Sequence, residues 1–199
     1  MKFNASEPLS RSAKRVLTSM CEALFSLLCE KKFEEISVSQ ICDESGYPRA
    51  TFYNYFDDKY DLLNLIWVYV EQSVIESGFE SYSTAETFDV HFDRLYDLLD
   101  AYEEQIKKVL VHNKKDGYFA SSLGIYLRKS VKKLLLSMSA EQLSPVPIDM
   151  LTDHYTNTLL LVFGYRFEGK GERLGREKTK EYLYHLIKGS LNIPLLSGE

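Results

Sequence analysis

The stretch SVSQICDESGYPRATFYNYFDDK, residues 37–59, decides the fold class of this chain. Two short segments with helical spacing of apolar residues meet at Gly46, where a left-handed backbone costs little because glycine has no Cβ. Ile41, Phe52 and Phe56 are spaced to close a small core between these segments. The pattern predicts a helix-turn-helix, in which two short helices are joined by a tight turn.

The second predicted helix runs over residues 48–56 and opens on Pro48, which costs no hydrogen bond in the first turn of a helix. In a helix-turn-helix the second helix lies in the major groove of DNA and presents its N-terminal residues to base edges. Arg49 has the donors for a guanine edge, and the methyl groups of Ala50 and Thr51 suit the thymine methyl. These residue types therefore favour double-stranded DNA as the partner.

Two residues at the starts of neighbouring helices carry donors for DNA phosphates. Ser37 lies at the start of the first helix of the pair, and Lys59 at the start of the helix that follows the pair. Helix N-termini offer backbone amides to anions, and the hydroxyl and ammonium groups add further donors. We therefore expect Ser37 and Lys59 to contact the DNA backbone.

The rest of the chain predicts an all-α protein. Its 199 residues are 45% hydrophobic and 27% charged, which excludes wholesale disorder, and the scarcity of glycine and proline argues against most all-β folds. Apolar residues recur at helical spacing, and no convincing strand pattern occurs. We predict about nine helices, divided between an N-terminal three-helix, helix-turn-helix domain (residues 1–58) and a C-terminal helical domain (residues 59–199). The Ser- and Gly-rich stretch 76–84 is expected to be a loop.

The net charge restricts how this chain can bind nucleic acid. With 24 basic and 29 acidic residues the formal net charge is −5, so a chain-wide basic coat is absent and binding requires a local patch. The affinity would need the N-terminal cations on one face and would fall steeply with salt. These cations are Lys2, Arg11, Lys14, Arg15, Arg49 and Lys59.

The cysteines and histidines argue against a disulfide framework and a metal site. Cys21, Cys29 and Cys42 are odd in number and lie in helical settings, which fits a reducing cytoplasm. Cys21 and Cys29 are about two helical turns apart, so a redox or metal sensor is the alternative to simple burial. No leader and no apolar run of roughly 18 residues occurs, so we expect a cytoplasmic protein with no membrane partner, no metal and no cofactor.

The helix-turn-helix stretch resembles the DNA-binding domain of the TetR/AcrR family of bacterial transcriptional regulators. The resemblance covers roughly residues 10–70, and more than ten positions agree in residue type and order. The matching positions are Ser37-Val38, Ile41-Cys42, Ser45-Gly46, Arg49, Ala50, Thr51, Phe52-Tyr53, Tyr55-Phe56, Lys59 and Leu62-Leu63. Two positions depart from the family pattern, since Tyr47 replaces a small aliphatic residue and Pro48 replaces serine.

The resemblance implies a role for each matched position at a DNA surface. The residues that would hold phosphates are Ser37, Tyr55 and Lys59. The residues that would lie at or near the bases are Ser39, Arg49, Ala50, Thr51 and Tyr53. Pro48 would lie at the same surface, but it lacks the amide and the hydroxyl with which serine can reach a phosphate.

The resemblance also implies that the C-terminal helices form a ligand pocket and a two-fold dimer. Aromatic residues make up 13% of the chain and offer candidates for a mainly apolar pocket, namely Trp67, Phe88, Phe92, Tyr96, Tyr118 and Tyr126. The last two predicted helices, residues 149–167 and 179–191, would form a four-helix bundle between two subunits. Its candidate interface residues are Leu151, Tyr155, Leu159, Val162, Tyr182 and Leu186. Part of each set is expected to be ordinary core.

The predicted function is that of a sequence-specific transcriptional regulator. In this hypothesis a homodimer represses transcription from a palindromic operator and is released by a small-molecule ligand. Two alternatives stay open, namely an activator of the same family type and a protein-interaction module without effective DNA binding, which the acidic balance and Pro48 favour. No catalytic constellation stands out among the residues, so an enzyme is not predicted.

Overall fold

The chain is helical throughout the part that the structure describes. The computed structural model describes residues 9–75, 84–114, 116–137, 144–167 and 174–187. These residues form nine α-helices, one short 3-10 helix and no strand, which confirms the all-α prediction. The α-helices are α1 (Arg11–Leu28), α2 (Val38–Ser45), α3 (Arg49–Tyr55), α4 (Lys59–Ile75), α5 (Thr84–Ala101), α6 (Glu103–His112), α7 (Tyr118–Ser137), α8 (Ile148–Phe167) and α9 (Arg176–Ile187), and the 3-10 helix is Phe33–Glu35. None of the described helices is long and apolar enough to cross a membrane.

Helix α1 begins at a capped N-terminus and buries one apolar face. The Ser10 hydroxyl accepts a hydrogen bond from the Ala13 amide at 3.1 Å, which satisfies one of the free donors at the start of the helix. Leu17, Met20 and Leu24 recur at three- and four-residue steps and are fully buried. This face packs against α2, so the helix-turn-helix has a hydrophobic base.

Helices α2 and α3 form the predicted helix-turn-helix. Ser37 and Gln40 make a reciprocal capping box that starts α2, and Gly46 ends it with a left-handed φ of 74°. Pro48 is the residue before α3, with φ at −67°, so its missing amide removes no hydrogen bond from the helix. Phe52 and Phe56 are fully buried with their ring centres 5.2 Å apart, and they seat α3 on the base of the domain.

The chain divides into two compact units. The first comprises Met1–Gln72 with Glu104–Leu123, and the second comprises Ser73–Glu103 with Gly124–Glu199. Helices α4, α6 and α7 therefore contribute residues to both units. The functional boundary after residue 58 stays a prediction. Most of the loop predicted over 76–84 and the predicted end of the last helix after Ile187 lie outside the described residues.

The second unit has a core built from α5, α7, α8 and α9. Its members are Phe92, Tyr96, Val131, Leu135, Leu151, Tyr155, Val162, Phe163, Leu183 and Ile187. A row of ion pairs joins α5 and the start of α6 to the last two helices. The pairs are Arg166 with Asp100 and Glu103, Arg176 with Asp93 and Asp97, and Lys180 with Asp89.

Candidate nucleic-acid interface

Helix α3 turns its predicted base-reading residues outward. Arg49, Ala50 and Tyr53 are exposed, whereas Phe52 on the opposite side is completely buried. Thr51 is half-buried, so its methyl group lies at the edge of this outward face. Arg49 and Tyr53 are four positions apart and therefore share one side of the helix, and Ala50 lies one step round from Arg49. The structure thus presents three of the predicted base-reading residues, Arg49, Ala50 and Tyr53, on the exposed side of α3.

Arg49 and Tyr53 form a pair on that outward face. The Arg49 Nη2 atom lies 3.5 Å from the Tyr53 hydroxyl, and the guanidinium carbon lies 6.0 Å from the centre of the Tyr53 ring. This hydrogen bond raises the pKa of Arg49 above its already high value, so the guanidinium stays cationic. The pair therefore directs a permanent positive charge with several donors away from the protein.

The N-terminus of α2 lies at the surface, but its serine is already engaged. The Ser37 hydroxyl accepts from the Gln40 amide at 3.2 Å, and its own proton points to Gln40 Oε1 at 3.3 Å. Ser37 is exposed, whereas Ser39 in the first turn is half-buried. Tyr55, the third residue predicted to hold a phosphate, is also half-buried, with its ring centre 6.4 Å from that of Phe56. A phosphate at Ser37 would share that hydroxyl with the cap.

The structure places Lys59 in a different setting from the one that the resemblance implies. Its ammonium nitrogen donates to the carbonyl oxygens of Phe33 at 2.7 Å, Glu34 at 3.0 Å and Ile36 at 2.7 Å. An ammonium has three protons, so these three acceptors use its whole donor capacity. Burial lowers the pKa of Lys59, and the nearby Glu34 carboxylate opposes that shift. Lys59 therefore holds the chain before α2, and a phosphate would have to displace one of the carbonyls.

Sequence reasoning missed the residues that hold the other side of this same segment. Asn113 Oδ1 accepts from the Phe33 amide at 2.8 Å, and Asn113 Nδ2 donates to the Leu28 carbonyl at 3.2 Å. The Glu34 carboxylate accepts from the Tyr118 amide at 2.7 Å. These partners are about 80 residues apart along the chain, so no local sequence pattern predicts the contacts between them. Asn113 lies within the polar stretch 112–116, HNKKD, so nothing in the sequence distinguishes it from its neighbours.

The charges around the helix-turn-helix are mixed in sign. Arg11, Lys14 and Arg15 are exposed in the first turns of α1. Acidic residues are exposed nearby in sequence, at Asp43, Glu44, Asp57 and Asp58. Lys2 lies outside the described residues, so the expectation that all these cations share one face stays a prediction. Within the described ranges no group of three acidic, histidine or cysteine side chains is arranged to hold a metal ion.

Comparison with known proteins finds a match to the segment that contains the helix-turn-helix. Residues 22–66 match the family model described as bacterial regulatory proteins, tetR family. The chain carries a TetR-family N-terminal domain. The matched range contains the end of α1, the whole helix-turn-helix and the first part of α4, so it includes both the outward face of α3 and Lys59. The family model therefore matches the same stretch that carries the predicted resemblance.

Solved structures extend the likeness of fold beyond this TetR-family domain. A TetR transcriptional regulator from Streptococcus agalactiae 2603V matches with a TM-score of 0.64 and 16% identity, over 88% of this chain and 96% of that one. The dihydroxyacetone kinase operon activator DhaS matches with a TM-score of 0.56 and 17% identity, over 86% of this chain and 94% of that one. No curated protein matches the chain at a significant level. The likeness to these two structures shows a shared fold.

The residues predicted to line a ligand pocket are divided between the two units. Trp67 and Tyr118 belong to the first unit, and Phe92, Tyr96 and Tyr126 to the second, while the Phe88 side chain lies outside the described part. Trp67 is buried and donates to the Ser122 hydroxyl at 2.8 Å. Phe92 and Tyr96 belong to the core of the second unit because they face α8. Tyr118 is 40% exposed and stacks on Phe33.

The predicted dimer residues separate into a buried and an exposed group. Leu151, Tyr155 and Val162 are buried in the core of the second unit, and Leu159 packs against it, because these four share the inward side of α8. They pack inside one subunit, and their place in a dimer interface stays a prediction. Tyr182 and Leu186 of α9 are 42% and 48% exposed. The outward side of α8 carries further exposed apolar residues that the prediction left out, namely Met150, Leu160, Leu161 and Tyr165.

Proposed function

We propose that this protein is a sequence-specific transcriptional regulator of the cytoplasm that binds a palindromic operator as a homodimer. The observation that carries the proposal is the outward face of α3, with Arg49, Ala50 and Tyr53 exposed on a helix seated by Phe52 and Phe56. This face lies inside the segment that matches the TetR-family model. In a helix-turn-helix such a face enters the major groove.

Base recognition would rest on Arg49 and its neighbours in the first turn of α3. A guanidinium can donate two parallel hydrogen bonds to the O6 and N7 atoms of guanine, and the Tyr53 hydroxyl limits the directions in which Arg49 points. Ala50 and the Thr51 methyl group add apolar contacts that suit thymine. These groups are expected to read a short half-site.

Backbone contacts would come from the flanking helices. The exposed cations Arg11, Lys14 and Arg15 on α1 can neutralise phosphates, and the N-terminus of α2 at Ser37 offers backbone amides. Tyr55 is retained as a phosphate donor through its hydroxyl. Because Lys59 is occupied by carbonyl oxygens, we assign its role to the protein itself rather than to the DNA.

Two subunits are expected because one α3 helix of seven residues reads few base pairs. Large apolar side chains are exposed on both of the last two helices, at Leu161 and Tyr165 of α8 and at Tyr182 and Leu186 of α9. Their exposure supports a second copy of the chain that packs against these residues. Leu161 is 62% exposed and Met150 64%, and an exposed group of large apolar side chains is typical of an interaction site. A two-fold arrangement would place two α3 helices on two half-sites.

The ligand response and the sign of regulation complete the proposal. We infer a repressor that a small-molecule effector, bound among the C-terminal helices, releases from DNA. An activator is the second candidate, since DhaS, which shares the fold, is by its name an operon activator. A protein-interaction module without effective DNA binding is the third, favoured by the exposed acidic residues Asp43, Glu44, Asp57 and Asp58.

Selection of bound DNA from a random duplex library tests this function. The expected result is an inverted repeat, bound with an affinity that falls steeply with salt because counterions are released. The variant Arg49→Ala serves as the control, since it should lose preference at one position of each half-site. If no sequence is enriched even at low salt, the regulator hypothesis is wrong and the interaction module takes its place.

A further inference from the structure

We propose that Glu34 is a positioning residue for DNA binding, because it ties the start of α7 to the segment that leads into α2. This segment, residues 33–36, is called the α2 lead-in below. The proposal rests on the proposed function. Glu34 makes no contact with DNA in this role and acts through Ser37 and α2.

The α2 lead-in is held on one side by Lys59. The ammonium nitrogen bonds to three of its four carbonyl oxygens, and it also lies 4.7 Å from the centre of the Phe33 ring. Phe33 and Ile36 are buried, at 0% and 2% exposure, so the segment is anchored by its side chains as well. An anchored segment of this kind leaves few alternative positions for the backbone of the residue that follows it, Ser37.

The turn between α6 and α7 holds the other side of the α2 lead-in. The Glu34 carboxylate accepts the Tyr118 amide at 2.7 Å, at the positive end of a 20-residue helix. The Phe33 and Tyr118 rings stack with centres 5.4 Å apart. A Cβ placed on Gly117 would lie 3.4 Å from the same carboxylate oxygen, so the turn before α7 also lies close to Glu34.

The position of Ser37 is set by these two supports of the α2 lead-in, Lys59 and the turn before α7. Ser37 comes directly after Ile36, and its amide donates to Gln40 Oε1 at 2.9 Å to complete the cap of α2. Helix α2 packs on α3, so a shift of the lead-in changes the orientation of the N-terminus of α2 relative to the outward face of α3. Both surfaces must meet one stretch of DNA together, and small misplacements weaken such binding.

Helix α7 supplies the second support of the α2 lead-in. The helix begins at Tyr118 and runs for 20 residues, and its first turn belongs to the same unit as the lead-in. Glu34 is the side chain that receives its first amide, so the lead-in is tied to the start of a long helix rather than to a loop.

The test compares Glu34→Ala with Glu35→Ala in the full-length chain, on the operator selected with the unaltered protein. Glu35 is the adjacent exposed carboxylate, so both variants remove the same charge from the same segment. Loss of a negative charge alone should leave affinity for DNA unchanged or slightly raised. We expect Glu34→Ala to bind about tenfold more weakly, since a hydrogen bond to a charged group is lost. The salt slope should stay the same because no phosphate contact is removed.

Hydrogen exchange separates positioning from general loss of structure. In Glu34→Ala the amides of residues 37–42 should exchange faster than in Glu35→Ala, while the amides of α4 keep their protection. If Glu34→Ala fails to fold by circular dichroism, Glu34→Gln is compared with Glu35→Gln instead. Glutamine keeps an acceptor oxygen but loses the charge, so Glu34→Gln should still bind more weakly than Glu35→Gln, by less than about tenfold. Equal affinities of the Glu34 and Glu35 variants would overturn the positioning role and leave the proposed function standing. Absence of specific binding by the unaltered chain would overturn both.

Discussion

The ammonium group of Lys59 donates to the carbonyl oxygen of Phe33 at 2.7 Å, and the same nitrogen lies 4.7 Å from the centre of the Phe33 ring. The two residues are 26 positions apart, at the start of α4 and before the start of α2. Phe33 therefore supplies both an acceptor and an aromatic face to one cation. This contact fixes the chain that leads into the helix-turn-helix.

Removing the Lys59 ammonium should destabilise the fold without changing how salt affects DNA binding. Lys59→Met keeps the aliphatic stem but leaves three carbonyl oxygens without their donor. We expect a loss of about 2 kcal/mol in the free energy of unfolding by urea, because hydrogen bonds to charged groups are worth about 1.5–3 kcal/mol. Lys32→Met, which removes an exposed cation from the same region, is the control and should change stability little. The slope of log affinity against log salt concentration would instead support a phosphate contact if its magnitude fell by about one in Lys59→Met.

Arg49 and Tyr53 should act on the same base pair. Arg49→Ala is expected to cost about 1–3 kcal/mol in binding and to relax the preference at one position of each half-site. Tyr53→Phe keeps the ring and removes the hydroxyl 3.5 Å from Arg49 Nη2, so it should broaden the preference at that position with a smaller loss of affinity. Competition binding with operators that vary one base at a time measures both effects. An equal loss on every sequence would contradict base reading by Arg49.

The exposed side of α8 should hold two subunits together. Leu161→Asp places a charge where the side chain is 62% exposed, so the monomer should fold normally and the dimer should dissociate. Leu151→Asp is the matched variant on the buried side of α8, where exposure is 1%, and it should unfold the second unit instead. Sedimentation velocity and circular dichroism distinguish these outcomes. A Leu161→Asp protein that sediments like the unaltered chain would assign the interface to another face.

The contribution of Glu34 to stability should depend on pH in the acid range. Hydrogen bonds from the Tyr118 amide and from its own amide hold the pKa of the Glu34 carboxyl below its usual range. A folded-state pKa that lies below the unfolded value stabilises the fold above the unfolded pKa, which is about 4.3 for glutamate. The stabilisation is lost as pH falls through the lower, folded-state pKa.

Urea unfolding of the unaltered protein and of Glu34→Gln at several pH values measures this effect. The difference in unfolding free energy should be constant near neutral pH and should shrink below about pH 4, where the carboxyl takes up its proton. Glu35→Gln, with an exposed carboxyl on the adjacent residue, should show no comparable trend. If the difference in unfolding free energy for Glu34→Gln is the same at every pH, the charge of Glu34 does not contribute to stability.

Local sequence patterns were sufficient for the helices and for the outward face of α3. Leu17, Met20 and Leu24 lie at helical spacing and are all buried on one side of α1, because burial follows the helical period. Gly46 predicted the turn because few residues other than glycine tolerate a φ of 74°. On α8 the same period could not separate core from interface, because both need apolar residues at helical spacing. Leu151 and Val162 were predicted at a dimer interface, and the structure packs both in the core of the second unit.

The sequence by itself determined the all-α class, the helix-turn-helix and the residues that α3 presents, because each depends on neighbours within four positions along the chain. Only the tertiary structure decided what Lys59, Glu34 and Asn113 do. The partners that tie them to distant parts of the chain lie between 23 and 85 residues away. The sequence alone does not tell whether a polar side chain meets a phosphate or a buried carbonyl. The role of each side chain depends on which partner the fold brings within hydrogen-bond distance. The packing of the helices determines that partner, and the composition does not.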